Sequence, residues 1–172
     1  MRLTFALAGL SALAFATAAG AEQVSLTPVA YSPEFQTALN RDLGEREGVY
    51  LSNDMVRAIS DAITRHGATF GENGLSIEIS IISAAPNRPT MHQLLRRPEL
   101  DAGRTVAVGG AEYHAVIKAA DGRTLSEVTH RLYNYSLDDL VGPPTTWTTA
   151  ERAIDQFAEK VADAYDAQTH AQ

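Results

Sequence analysis

The chain has 172 residues, no cysteine, and 14 basic against 21 acidic side chains, a net charge of −7. Without cysteine there can be no disulfide framework, thiolate zinc site, lipid-modified N-terminal cysteine or cysteine nucleophile. The acidic balance suits neither nucleic acid nor general electrostatic attachment to anionic lipid.

The first element in chain order reads as a secretory signal. Arg2 supplies a basic n-region, Leu3 to Ala16 an apolar and small stretch, and Ala19-Gly20-Ala21 a small-x-small site, the three parts of an export signal in their usual order. A membrane anchor would need about 20 predominantly apolar residues and a basic stop-transfer cluster. Residues 1–21 are therefore expected to be removed, leaving 22–172 as one domain, periplasmic or secreted, that begins at Glu22. Loss of Arg2 leaves 13 basic and 21 acidic residues, a net charge of −8. No later stretch is apolar enough to span a bilayer, and a domain of this size can bury a core without disulfides.

Val24 and Leu26 alternate with polar neighbours before Pro28, which predicts a short strand at a sheet edge. Ser32-Pro33 predicts an N-cap with proline at the first helical position, ahead of Phe35, Ala38 and Leu39 and ended by Gly44 or Gly48. A longer helix is expected from Asn53 to His66, capped by Ser52 or Asn53 and closed by Gly67, with Met55, Val56, Ile59, Ala62 and Ile63 on one stripe. Leu75, Ile77, Ile79 and Ile81 alternate with polar residues, the pattern of a half-buried strand.

Residues 84–104 hold Pro86, Pro89 and Pro98 and predict a long irregular segment, with a helical turn at Met91 to Leu95 begun by Thr90. A strand is expected from Thr105 towards Ala119, bulged at Gly109-Gly110 so that Val106 and Val108 share a face with Tyr113, Ala115 and Ile117. Asp121-Gly122 marks a hairpin. A two-residue loop there pairs Ala120 with Arg123, sets Ala115 opposite Val128 and Tyr113 opposite His130, and sorts apolar from polar side chains onto opposite faces. The last helix is signalled by Thr148 and Glu151 as a capping box, followed by Ile154, Phe157, Ala158, Val161, Ala162 and Tyr165 at helical spacing. The order of elements predicts an α+β fold, an antiparallel sheet of three to four strands with two to three helices packed on one face.

Chemical motifs are sparse. The five histidines form no HExxH pair, and in the hairpin register His114 and His130 point to opposite faces. Gly109-Gly110 lacks the Lys-Ser/Thr that would make a phosphate loop, and Asp138-Asp139 has no placed partner acid. Tyr133, Tyr135 and Trp147 could stack a sugar or base, but strand aromatics more often pack. No cofactor and no metal site are expected, and no catalytic residue is singled out.

The exception is residues 84–104, where Arg88, Arg96, Arg97 and Arg104 outnumber Glu99 and Asp101 on an otherwise acidic chain. Arginine offers a planar fork that suits carboxylate or phosphate. Together with His92, these arginines are the candidate binding residues for an acidic small ligand or an envelope protein partner. The competing reading is that they pair with the domain's own carboxylates.

The stretch from Tyr31 to Tyr165 resembles a family of uncharacterised small secreted bacterial proteins. The likeness is carried by Ala85-Pro86-Asn87-Arg88-Pro89-Thr90, the Leu100-Asp101 to Arg104 stretch, Gly109-Gly110-Ala111, Asp121 with Gly122, and the C-terminal helix. It implies a bacterial envelope or periplasmic setting and assigns no activity, so no functional residue is carried over. The leading expectation is a non-enzymatic periplasmic or secreted binding or accessory domain. The alternative is an envelope hydrolase whose His and Asp residues are distant in sequence.

Overall fold

The structure, a computed structural model, describes residues 23–72 and 74–169, so the expected signal segment lies outside the described residues. Val24 is fully buried in β1 (Gln23–Leu26), and a two-residue strand, β2 (Ala30–Tyr31), follows it. Ser32 then takes extended backbone, its Oγ accepts from the Phe35 N–H at 3.0 Å, and Pro33 opens α1 (Pro33–Ala38) as expected. Proline is well placed there, because the first helical N–H has no intrahelical partner in any case. A π-helical turn at Leu39–Leu43 carries the chain to Gly44, whose φ of 97° needs a residue without Cβ.

The next helix, α2 (Glu45–Arg65), starts well before the expected Asn53. Ser52 is therefore no cap; its hydroxyl instead hydrogen-bonds the Tyr31 hydroxyl at 2.8 Å. Met55, Ile59, Ala62 and Ile63 are buried as expected and Leu51 joins them, whereas Val56 is turned towards solvent. Gly67, with φ 83°, ends the helix. After β3 (Thr69–Phe70) comes β4 (Leu75–Ala85), in which Leu75, Ile77, Ile79 and Ile81 are buried. The remaining elements are α3 (Met91–Arg96), β5 (Gly110–Lys118), β6 (Thr124–Tyr133), a 3-10 turn at Leu137–Asp139, and α4 (Thr148–Thr169).

The expected antiparallel sheet of three to four strands is incorrect. Among the described residues six strands form one mixed sheet in the order β3-β1-β4-β5-β6, with β2 also beside β4. β1 runs parallel to both β3 and β4, and β2 parallel to β4; β4-β5 and β5-β6 are antiparallel. Four α-helices accompany it among the described residues, rather than two to three. The parallel half uses α1 and α2, which stand between β1 and β4, as its crossover, since parallel neighbours need a long connection that is usually helical. Two-residue strands such as β2 and β3 show no alternation that a sequence pattern could reveal. β3 also covers β1, which is thus not the edge strand it was expected to be.

The hairpin register is as expected through its body, with Ala115 opposite Val128, Tyr113 opposite His130 and Glu112 opposite Arg131. Its turn differs. Ala119 N–H bonds the Arg123 carbonyl and Gly122 N–H the Ala119 carbonyl, both at 2.9 Å, so the loop has three residues with Gly122 at φ 84°. Such a loop shifts the pairing by one residue, and β6 absorbs the shift immediately, since Ile117 faces Ser126 while Lys118 faces Thr124. Leu125 is the extra residue of that bulge, and the apolar face is restored. Two local irregularities thus cancel where an even loop was expected.

Residues 105–109 do not join β5, against the expected strand from Thr105. Gly109 instead lies against Asn87: a Cβ there would stand 2.5 Å from the Asn87 side-chain amide. A Cβ on Gly110 would strike the Leu132 carbonyl and the Tyr133 ring. Close approach, not a bulge, requires both glycines.

The buried side chains of β1, β4, β5, α1, α2 and α4 form one cluster. Tyr113 and Phe157 rings meet at 5.7 Å, and the Tyr113 hydroxyl donates to the Ala150 carbonyl at 3.1 Å. Each buried aliphatic of Leu or Ile size contributes about 1.5–3 kcal/mol before ordering entropy is counted. The opposite sheet face presents Ser76, Glu78, Ser80, Glu112, His114 and Lys118, all partly solvated.

Candidate functional site

The expected irregular segment is held in place by a dense set of backbone bonds. Asn87 is fully buried and joins three parts of the chain. Its N–H donates to the Thr146 carbonyl at 2.8 Å, its own carbonyl accepts from Ala107 N–H at 2.9 Å, and its side-chain Nδ2 donates to the Ala107 carbonyl at 3.2 Å. Its Oδ1 accepts the Thr149 N–H at 2.8 Å, so Asn87 caps α4 from another part of the chain. The capping box expected from Thr148 and Glu151 is not formed. Thr148 is already helical, its Oγ1 accepts from Thr145 N–H at 2.7 Å, and Glu151 N–H goes to the Trp147 carbonyl.

Downstream, Thr90 and Gln93 form the reciprocal capping box of α3, which extends the expected helical turn to Arg96. Gln93 Nε2 then donates to Asp42 Oδ2 at 2.7 Å, and Arg97 pairs with Asp42 Oδ1, docking α3 on the π turn. Asp101 Oδ1 accepts the N–H groups of Gly103 and Arg104, each at 2.8 Å, and closes a tight turn.

Between these pieces lies a cleft of about 290 Å³. Pro86, Pro89, Leu100, Ala107 and Val108 give it apolar walls; Arg88, Arg97, Gln93 and Thr105 are its polar members. Of the five candidate binding residues, the fold brings Arg88 and Arg97 to this cleft. Arg88 is largely engaged by the chain itself: Nε donates to the Pro144 carbonyl at 2.6 Å and Nη1 to those of Ala102 and Gly103 at 3.1 and 2.9 Å. Arg97 is exposed at the rim, where an ion pair with a half-exposed carboxylate is worth about 0–1 kcal/mol.

The other three candidates lie elsewhere. His92 packs beside Gly44, and its buried Nε2 has no hydrogen-bond partner among the described residues. Arg96 reaches the Arg41 carbonyl at 3.3 Å. Arg104 is exposed and makes no ion pair among the described residues.

A second cleft, of about 240 Å³, was invisible to sequence spacing. Trp147 Nε1 donates to Glu47 Oε2 and the Tyr50 hydroxyl to Glu151 Oε1, both at 2.6 Å. The Glu151 carboxylate, helped by desolvation, pushes the Tyr50 hydroxyl pKa up to about 12. What the sequence carries of this grouping is an acidic residue in the first turn of each helix, Glu47 in α2 and Glu151 in α4. The aromatic platform suggested by Tyr133, Tyr135 and Trp147 is not assembled: Trp147 is buried, Tyr135 is 97% exposed, and Tyr133 sits beneath Arg131 with 4.9 Å from guanidinium to ring centre.

His114 and His130 do point to opposite faces. His114 stands 3.7 Å from the Glu127 carboxylate on the open side, while His130 is buried and accepts from Lys160 Nζ at 2.9 Å. Burial first, and the Lys160 charge second, lower the His130 pKa, with a smaller opposing pull from Gln156. Among the described residues no group of three or more His, Asp or Glu side chains could hold a metal ion, and no helix is long and apolar enough to cross a membrane.

No family model matches the chain, and no curated protein does. Among solved structures, a Xanthomonas campestris protein of family DUF330 is similar, with 12% identity, 89% of this chain and 90% of that chain covered, and a TM-score of 0.48.

Proposed function

We propose that this chain is an exported binding or accessory domain of the bacterial envelope that takes a small acidic ligand in the cleft between the β4-α3 loop and residues 97–108. The observation that carries the reading is a cleft with Pro86, Pro89, Leu100 and Val108 as walls and the Arg88 and Arg97 guanidinium groups at its edge. An apolar lining with a few convergent polar groups is the usual makeup of a ligand site, and about 290 Å³ suits a short apolar body ending in a carboxylate. Arg88, tied to three carbonyls, presents a guanidinium that is ordered before binding, which lowers the entropy cost of association. Arg97 shares its charge with Asp42 in an exposed pair that an incoming carboxylate can replace.

Hexanoate tests this reading by NMR titration. It should shift the amide resonances of Gln93, Leu100 and Val108, hexanamide should not, and Arg97→Glu should abolish the effect with little change in melting temperature. Equal responses to acid and amide, or shifts confined to another part of the chain, would overturn it.

A further inference from the structure

The long free edge of the sheet is β6, which pairs with β5 on one side and has no strand on the other among the described residues; the opposite edge is the two-residue β3. The bond from Asn134 N–H to the Gly109 carbonyl at 3.0 Å sets the phase of this ladder, and the same register continues from Gly110 opposite Tyr133 to Ile117 opposite Ser126. In an antiparallel ladder, residues alternate between bonding the neighbour and facing away from it. Ser126, Val128, His130 and Leu132 therefore direct their N–H and C=O groups at β5, and Glu127, Thr129, Arg131 and Tyr133 direct theirs outward.

That outward row is long and little protected. Exposed edges are commonly blunted by proline, lysine, bulges or short length. β6 has ten residues, contains no proline or lysine, and carries its bulge at Leu125, next to the turn.

We infer that β6 is the docking edge for a second copy of this chain, the two strands pairing antiparallel about a two-fold axis through Thr129. In that register Thr129 meets the partner's Thr129 and Glu127 meets the partner's Arg131, twice by symmetry, and each facing pair exchanges two N–H···O bonds. Charge selects the register. A slip of two residues sets Glu127 against Thr129 or Tyr133 and leaves both charges unmatched. A slip of one sets outward-facing bonds against inward-facing ones. Glu127 and Arg131 have side chains 64% and 68% exposed, so their contacts to His114 and Glu112 leave them free to reach across. The pairing would extend the sheet without a break and leave the α2 and α4 layer of each copy in place.

Sedimentation equilibrium of the purified protein over a broad concentration range tests this inference. The parent chain should be a dimer. Thr129→Pro should make it monomeric with an unchanged melting temperature, because the lost N–H is not used within the chain. Should that variant fold poorly, the charge exchange decides: Glu127→Arg and Arg131→Glu alone should each weaken the dimer about tenfold, and the two together should restore it. A parent chain that stays monomeric throughout would overturn the inference. So would a dimer that survives Thr129→Pro, or a double variant as weak as the singles.

Discussion

Asn87 shows how much a single residue contributes to this molecule. Its side chain supplies the α4 cap and holds Ala107, while its backbone is bonded to residues 107 and 146. Truncation to alanine would leave the buried Thr149 N–H short of its partner, costing about 1–3 kcal/mol, whereas the carbonyl of the exposed Ala107 can turn to water. Asn87→Ala is expected to destabilise the chain by roughly 1–3 kcal/mol in urea unfolding; a loss under about 0.5 kcal/mol would mean that water reaches the Thr149 N–H as well. Asn87 was legible only as part of a proline-flanked loop, because nothing in a local pattern says that its amide caps a distant helix. The arginines were legible as a concentration of charge, yet charge counting could not foresee that Arg88 would be used by three carbonyls or that Asp42 would take Arg97.

At the scale of elements, contact between β6 and α4 creates a titratable joint. His130 on β6 is buried and accepts from the charged Lys160 on α4, so burial first and that charge second hold its folded pKa below the ordinary value of 6.5. For a base the sign runs towards acid instability. The unfolded chain takes up a proton as pH falls through its ordinary pKa, the folded chain only lower, so this group's contribution is complete above that pKa and declines on acidification. Melting temperature should fall between about pH 7 and pH 5, and His130→Gln, which keeps an acceptor for Lys160, should flatten that part of the curve. An unaltered slope in the variant would assign the acid sensitivity to other groups. The elements themselves were best legible where periodicity is long: β4, the body of the β5-β6 hairpin and α4. The early start of α2 was missed because Arg46, Gly48 and Tyr50 carry no apolar stripe, and the helix continues through them on the strength of burying Gly48 and Leu51.

At the scale of the whole molecule, cleavage after Ala21 is expected from the Ala19-Gly20-Ala21 site. N-terminal sequencing of exported protein should begin at Glu22, and a full-length chain recovered in the membrane fraction would refute cleavage. What the sequence determined by itself was the local grammar: helix starts at Ser32-Pro33 and Thr90, the burial of alternate residues in β4, and the pairing of β5 with β6. Those depend on neighbours within a few residues, through capping, pleat and turn geometry. Tertiary structure alone decided the mixed direction of the sheet, the remote cap of α4 by Asn87, and the meeting of Arg88 and Arg97 at one cleft. Each of these rests on contacts between segments far apart in the chain, where the winning arrangement is the one that buries the shared apolar face while leaving backbone polar groups paired.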